Sequence, residues 1–126
     1  MYSDLIGKKF LYDGRGPEFF DCYGLCVEVY KRLGKNLPEF ISARDPKGIG
    51  ITVNENMSLF EKIEKPEPFC LITLMIIKPF VSHIGVVLED CERFINIFQK
   101  RNVCIKYINS ERWKNRIDGF WKYPKN

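Results

Sequence analysis

Three residues of this 126-residue chain stand in an order that suits nucleophilic attack on a carbonyl: Cys22, then His83, then Asn96. Cys22 directly follows Asp21, a good helix-capping residue, so its thiol falls in the first turn of the run CYGLCVEVYKRLG. There the helix dipole and unpaired N–H groups favour the thiolate, and such a thiol is expected to fall from about 8.5 toward roughly 4–7. The same N–H groups could hold an oxyanion. His83 is the single histidine, so any imidazole chemistry must use it. It opens the run HIGVVLE after a turn-like Phe80-Val81-Ser82, where a side chain at a sheet edge could reach a helix N-terminus packed on that sheet. Asn96 sits between Ile95 and Ile97 on what reads as the neighbouring strand of a hairpin. A half-buried amide without a partner costs about 1–3 kcal/mol, and holding an imidazole would give it one. Each residue also has a plainer reading: Cys22 as a small hydrophobe in a core, His83 as a structural histidine, Asn96 on a solvent face.

Cys22, Cys26 and His83 could together offer three zinc ligands, but there is no CxxC knuckle and no second histidine, so no metal or other cofactor is expected. Cys26, one turn after Cys22, reads most simply as core packing.

Positioning the three residues needs a helix that begins at Cys22 and a sheet that carries the other two. Cys22, Leu25, Cys26, Val29 and Leu33 fall at helical spacing, with Glu28, Lys31, Arg32 and Lys35 on the other side and Gly34 as the stop. Gly14-Arg15-Gly16-Pro17 is a loop before it, and Asp45-Pro46-Lys47-Gly48 a turn after it. Asn54 to Ile63 reads as a second short helix, closed by Lys65-Pro66-Glu67-Pro68. From there FCLITLMII, HIGVVLE, RFINIF and NVCIKYI are short β-branched and aromatic runs, followed by a short helix at Ser110–Asn115 and a last strand, Gly119 to Tyr123. Helices first and strands after, with no internal repeat or linker, predict one α+β domain over residues 1–126, its N-terminal helices packed on one face of a small antiparallel sheet.

Composition narrows the class. With 45% apolar and 14% aromatic residues the chain can bury a core, and 20 Lys+Arg against 16 Asp+Glu leave a mild +4 that is not concentrated as in a nucleic-acid arm, so no nucleic-acid partner is expected. The apolar stretch Phe69 to Val87 is interrupted by Lys78, Pro79, Ser82 and His83 and does not read as a membrane span. The N-terminal residues lack the pattern of a secretory signal, which predicts a protein made in the cytoplasm that leaves, if at all, by another route. Five cysteines, an odd number, predict free thiols over a disulfide framework.

Nearly the whole chain resembles the NlpC family of papain-like cysteine peptidases, bacterial and phage enzymes that cut peptide bonds in cell-wall peptidoglycan. The block GKKFLYDGRGPEFFDCYGLCVEVYKRLGKNLP is similar to the family's Gly-x-x-Tyr, Gly-rich turn, Phe-Asp-Cys-x-Gly-Leu helix start and Gly-x-x-Leu-Pro ending. SHIGVVLED resembles its His-Val-Gly strand, RFINIF the strand bearing its third polar residue, and IDGFWKYP its closing strand. The resemblance implies Cys22 as nucleophile, His83 as general base and then acid, and Asn96 orienting the imidazole. It implies an NlpC-type fold and a peptidoglycan stem peptide, or a similar amide, as substrate. The family's Tyr position falls on Phe10, and Tyr12 is the nearby hydroxyl that could assist the oxyanion. Asp21 and Tyr23 flank the nucleophile as oxyanion or substrate contacts; an aromatic at Tyr23 resembles the phage tail-assembly branch, which implies a phage tail or secretion apparatus as partner and carrier, with a virion as one destination. Two other readings use the same residues: a structural or binding module of this fold without catalysis, and a thiol hydrolase or acyltransferase acting on a non-wall amide or ester.

Overall fold

In the computed structural model, which describes residues 1–39 and 55–123, a long helix α1 (Cys22–Arg32) starts and stops where the sequence places it. Asp21 is the N-cap, its carboxylate accepting the Gly24 N–H at 2.6 Å. Lys31 and Arg32 lie in the last turn, where cations complement the dipole, and Gly34 follows in the left-handed region at φ +79°. Leu25, Cys26, Val29 and Tyr30 form the buried face.

The strands are β1 (Lys9–Phe10), β2 (Phe19–Phe20), β3 (Glu61–Ile63), β4 (Leu71–Leu74), β5 (His83–Val87), β6 (Arg93–Ile97), β7 (Val103–Tyr107) and β8 (Ile117–Lys122). β1 and β2 pair as a short parallel ribbon, and the other six form an antiparallel sheet in the order β3-β8-β4-β5-β6-β7. The two-residue period of the strands sorts the core into two. Leu71, Ile84, Val86, Ile95 and Ile97 join the cluster formed with α1. Ile72, Leu74, Val87 and Phe94 pack on the opposite face with Trp113. Asn96, between Ile95 and Ile97, therefore points away from α1.

The loop before α1 is fastened to it. The Gly14 carbonyl accepts the Asp21 N–H at 3.2 Å and an Arg15 guanidinium N–H at 3.0 Å. It also lies so close to Gly24 that an added Cβ there would sit 1.9 Å from its oxygen. The glycine of Cys-x-Gly and the Gly-rich turn are thus one packing unit. Gly24→Ala is expected to lower stability by about 3 kcal/mol, the upper end of the usual overpacking cost, read as a lower urea midpoint. An unchanged midpoint would show that the loop yields freely.

Two expected helices differ from that reading: of the first, Glu55 and Asn56 are helical and Met57–Leu59 is a single 3-10 turn, and helix extends no further. Glu61–Ile63, the end of the expected second helix, is strand β3, because Glu61 to Ile63 pair with Lys122 to Phe120 on β8 and sheet hydrogen bonding outweighs a weak local helix preference. Ser110–Asn115 forms hydrogen-bonded turns: Lys114 N–H reaches the Ser110 carbonyl at 3.0 Å, but Arg116 N–H returns to Trp113 at 2.8 Å as Trp113 enters the core. So α1 alone, rather than several helices, supplies the long helical packing on the sheet among the described residues. Asn54 and the turn expected at Asp45 to Gly48 lie outside the described residues. No described helix is long and apolar enough to cross a membrane.

Candidate active site

The N-terminus of α1 meets the beginning of β5. The Cys22 sulfur is faced by three backbone N–H groups, those of Ile84 on β5 and of Tyr23 and Cys22 itself. These donors favour a thiolate, yet burial, followed by the neighbouring Asp21 carboxylate, outweighs them and pushes the thiol up to about 12. The helix start therefore acts against a larger opposing influence in this half-buried thiol, because a helix dipole is only a fraction of a charge.

His83 is 3% exposed. One ring nitrogen, Nε2, lies 2.9 Å from Asn96 Oδ1, while Asn96 Nδ2 donates to the Cys104 carbonyl at 3.2 Å. A carbonyl can only accept, so the amide is oriented with its oxygen toward the ring, and Nε2 must carry the proton. Nδ1 is left with a lone pair: it is the basic nitrogen. The ring also stacks on Phe98 (centroids 4.4 Å, planes 15° apart), which stacks in turn on Trp113 (5.0 Å, 12°). Burial lowers the imidazole to about 4, against the opposing influence of the Asn96 hydrogen bond. At neutral pH the resting pair is therefore thiol and neutral imidazole.

Cys22 and His83 open onto one groove of about 710 Å³, which Phe10, Tyr12, Asp21 and Trp113 also line. The Phe10 and Tyr12 rings meet edge to face at 5.0 Å. Asp21 builds the helix start: Oδ1 accepts from Gly24 N–H and from Arg15 at 2.8 Å, and Oδ2 from the Asp13 N–H at 3.1 Å. Tyr23 is a correction to the expected substrate contacts. It is 1% exposed, does not line the groove, and donates its hydroxyl to the Pro38 carbonyl. Successive helix residues point roughly 100° apart, so with Cys22 toward the groove its successor turns into the core. Cys26 is likewise fully buried, and among the described residues no group of three His, Cys, Asp or Glu side chains could hold a metal ion.

Sequence reasoning passes over Phe98, Trp113 and the Cys104 carbonyl. Phe98 was legible: it follows Asn96 by two residues, and the register that pairs Val86 with Ile95 carries on to put it opposite His83. Nothing local marks Trp113, which arrives from a distant turn.

Because the folded protein holds the imidazole near 4 and an unfolded chain near 6.5, the folded state binds fewer protons between those values. Stability is then complete above about pH 6.5 and declines as pH falls toward 4, by as much as about 3 kcal/mol. Urea midpoints at pH 7 and 4.5 measure this; a decline of the same size in a His83→Gln variant would assign it to other groups.

Residues 7–122 match the NlpC/P60 family. Among curated proteins the chain is 27% identical over 121 residues to a gamma-DL-glutamyl hydrolase of Bacillus subtilis (strain 168), covering 94% of this chain and 27% of that protein. Its fold is similar to that of a lipoprotein-like NLP/P60 family protein from Staphylococcus aureus (TM-score 0.68, 20% identity, 98% of this chain and 39% of that one). NlpC1 from Trichomonas vaginalis also superposes with a TM-score of 0.68 at 18% identity, over 98% of this chain and 41% of that one. The chain thus spans about a quarter of the curated relative and about two-fifths of these solved structures.

Proposed function

Because the chain belongs to the NlpC/P60 family, we propose that it is a cysteine peptidase or amidase that hydrolyses an amide bond in peptidoglycan stem peptides, with Cys22 as nucleophile, His83 as general base and acid, and Asn96 holding the imidazole. The observation that carries this reading is the tautomer: Asn96, oriented by the Cys104 carbonyl, keeps the proton on Nε2 and leaves Nδ1 basic in the groove that holds the thiol. The Cys22 sulfur attacks the carbonyl carbon as its proton passes to Nδ1, and the oxyanion forms beside the Cys22 backbone N–H at the start of the helix. The amide C–N bond then breaks, the imidazolium giving its proton to the leaving amine. Water, deprotonated by Nδ1, attacks the thioester; the acid leaves and the thiol is restored.

The choice of a wall peptide follows the family, and the hydrolase of Bacillus subtilis, acting on gamma-DL-glutamyl bonds by its name, supports a γ-glutamyl amide as the bond cut. Synthetic stem peptides containing a γ-D-glutamyl bond, incubated with the protein and read by mass spectrometry, test this. Expected is one new acid and one new amine per substrate consumed. A peptide panel left intact, with an ester or other amide cleaved instead, would move the protein to a non-wall hydrolase.

A further inference from the structure

The groove is markedly one-sided in charge. Lys100, Arg101, Lys106 and Arg112 all line it, and the sole carboxylate lining it among the described residues, Asp21, has both oxygens engaged by Arg15 and backbone N–H groups. Among the described residues none of the four cations forms an ion pair.

The backbone beneath them is anchored. Lys100 and Arg101 lie in the turn between β6 and β7, closed by the Arg101 N–H to Phe98 at 3.1 Å and tied to β1 by the Phe10 N–H to the Arg101 carbonyl at 3.2 Å. Lys106 follows Cys104 by two residues on β7, and Cys104 pairs directly with Asn96. Lys106 therefore rises on the same sheet face as Asn96, about 7 Å further along the strand. Arg112 lies over the face of Trp113 at 5.2 Å, at the end of the stack that begins on His83. Unpaired cations held round a concave site beside a candidate nucleophile attract and orient negative charge.

We infer that this cationic wall, Lys106 and Arg112 above all, selects peptides with free carboxylates beside the scissile amide and discriminates against the same peptides with those carboxylates amidated. The inference rests on the proposal that this groove binds the substrate. It is specific to peptides: guanidinium and ammonium groups spaced along a groove with the aromatic rings of Phe10, Tyr12 and Trp113 suit an extended acidic chain.

The test uses two fluorescein-labelled γ-linked D-glutamyl peptides that differ only in free α-carboxylate against α-carboxamide. Binding to Cys22→Ala protein is read by anisotropy, and cleavage by wild type as kcat/KM. Expected is binding of the carboxylate form about ten-fold tighter at low salt, a preference that shrinks in strong salt and is largely lost in Lys106→Ala/Arg112→Ala. Both replaced side chains are exposed, and unchanged urea midpoints would confirm intact folding. Cleavage of both peptides with equal kcat/KM and equal binding overturns the selectivity while leaving the hydrolase intact. Charge-selective binding with no cleavage leaves the selectivity standing and sinks the hydrolase. An oligodeoxythymidylate that competes as well as the acidic peptide would overturn the inference by showing a surface for any polyanion.

Discussion

Replacing Cys22 with alanine is expected to lower stem-peptide hydrolysis by about 10⁴-fold or more while the protein stays folded. The sulfur forms the bond that breaks the amide: Cys26 is in the core, and Cys104, which also lines the groove, has its sulfur 3.8 Å from the Asn96 amide nitrogen instead of at the helix start. The thiol fills the first helical position at the margin of the core cluster, so its loss should move the urea midpoint little. Serine should not rescue, since a hydroxyl is harder still to deprotonate by a base near 4. In wild type, kcat/KM should hold level from neutral pH down and fall only as pH nears about 4, where Nδ1 takes up a proton and ceases to be a base. A loss under ten-fold in Cys22→Ala would mean a different nucleophile and end the proposed mechanism.

Asn96→Ala is expected to do two things at once. It removes a fully buried amide, leaving an imidazole N–H without its partner and a void on the sheet face, at a cost of about 2–4 kcal/mol. It also frees the ring to turn and exchange tautomers, which should reduce kcat by roughly 10²-fold with little change in KM. Asn96→Asp separates these effects. A carboxylate still accepts from Nε2 but stabilises the imidazolium, so the acid limb of kcat/KM should move upward from about 4. Full kcat in Asn96→Ala with only the stability lost would reduce Asn96 to a structural residue.

Much of this arrangement is legible in the chain. Asp21 before Cys22 and Gly34 after the run mark both ends of α1, because capping uses side chains adjacent in sequence. Asn96 between two isoleucines signals a buried partner, since alternation forces it off the face those isoleucines share. The misreadings have long-range causes. Glu61–Ile63 is a strand because Phe120 to Lys122 lie beside it, and no window around it contains that information. Tyr23, a substrate contact by the resemblance, neighbours the nucleophile in sequence, but adjacency in a helix is divergence in space.

Residue order and local chemistry alone determine where the helix begins, that the thiol sits at its first turn, and that the single histidine and an inward amide lie on neighbouring strands of a hairpin. Those are short-range consequences of capping and of the two-residue strand period. The protonation of the pair is decided only in three dimensions. Burial and the Asp21 carboxylate raise the thiol, and burial of His83 lowers the imidazole, opposite to the direction that a helix terminus suggests. The tautomer of His83 likewise depends on the Cys104 carbonyl, brought to Asn96 by a strand that folds back after it. Desolvation depends on all that surrounds a group, and chain separation says nothing of that.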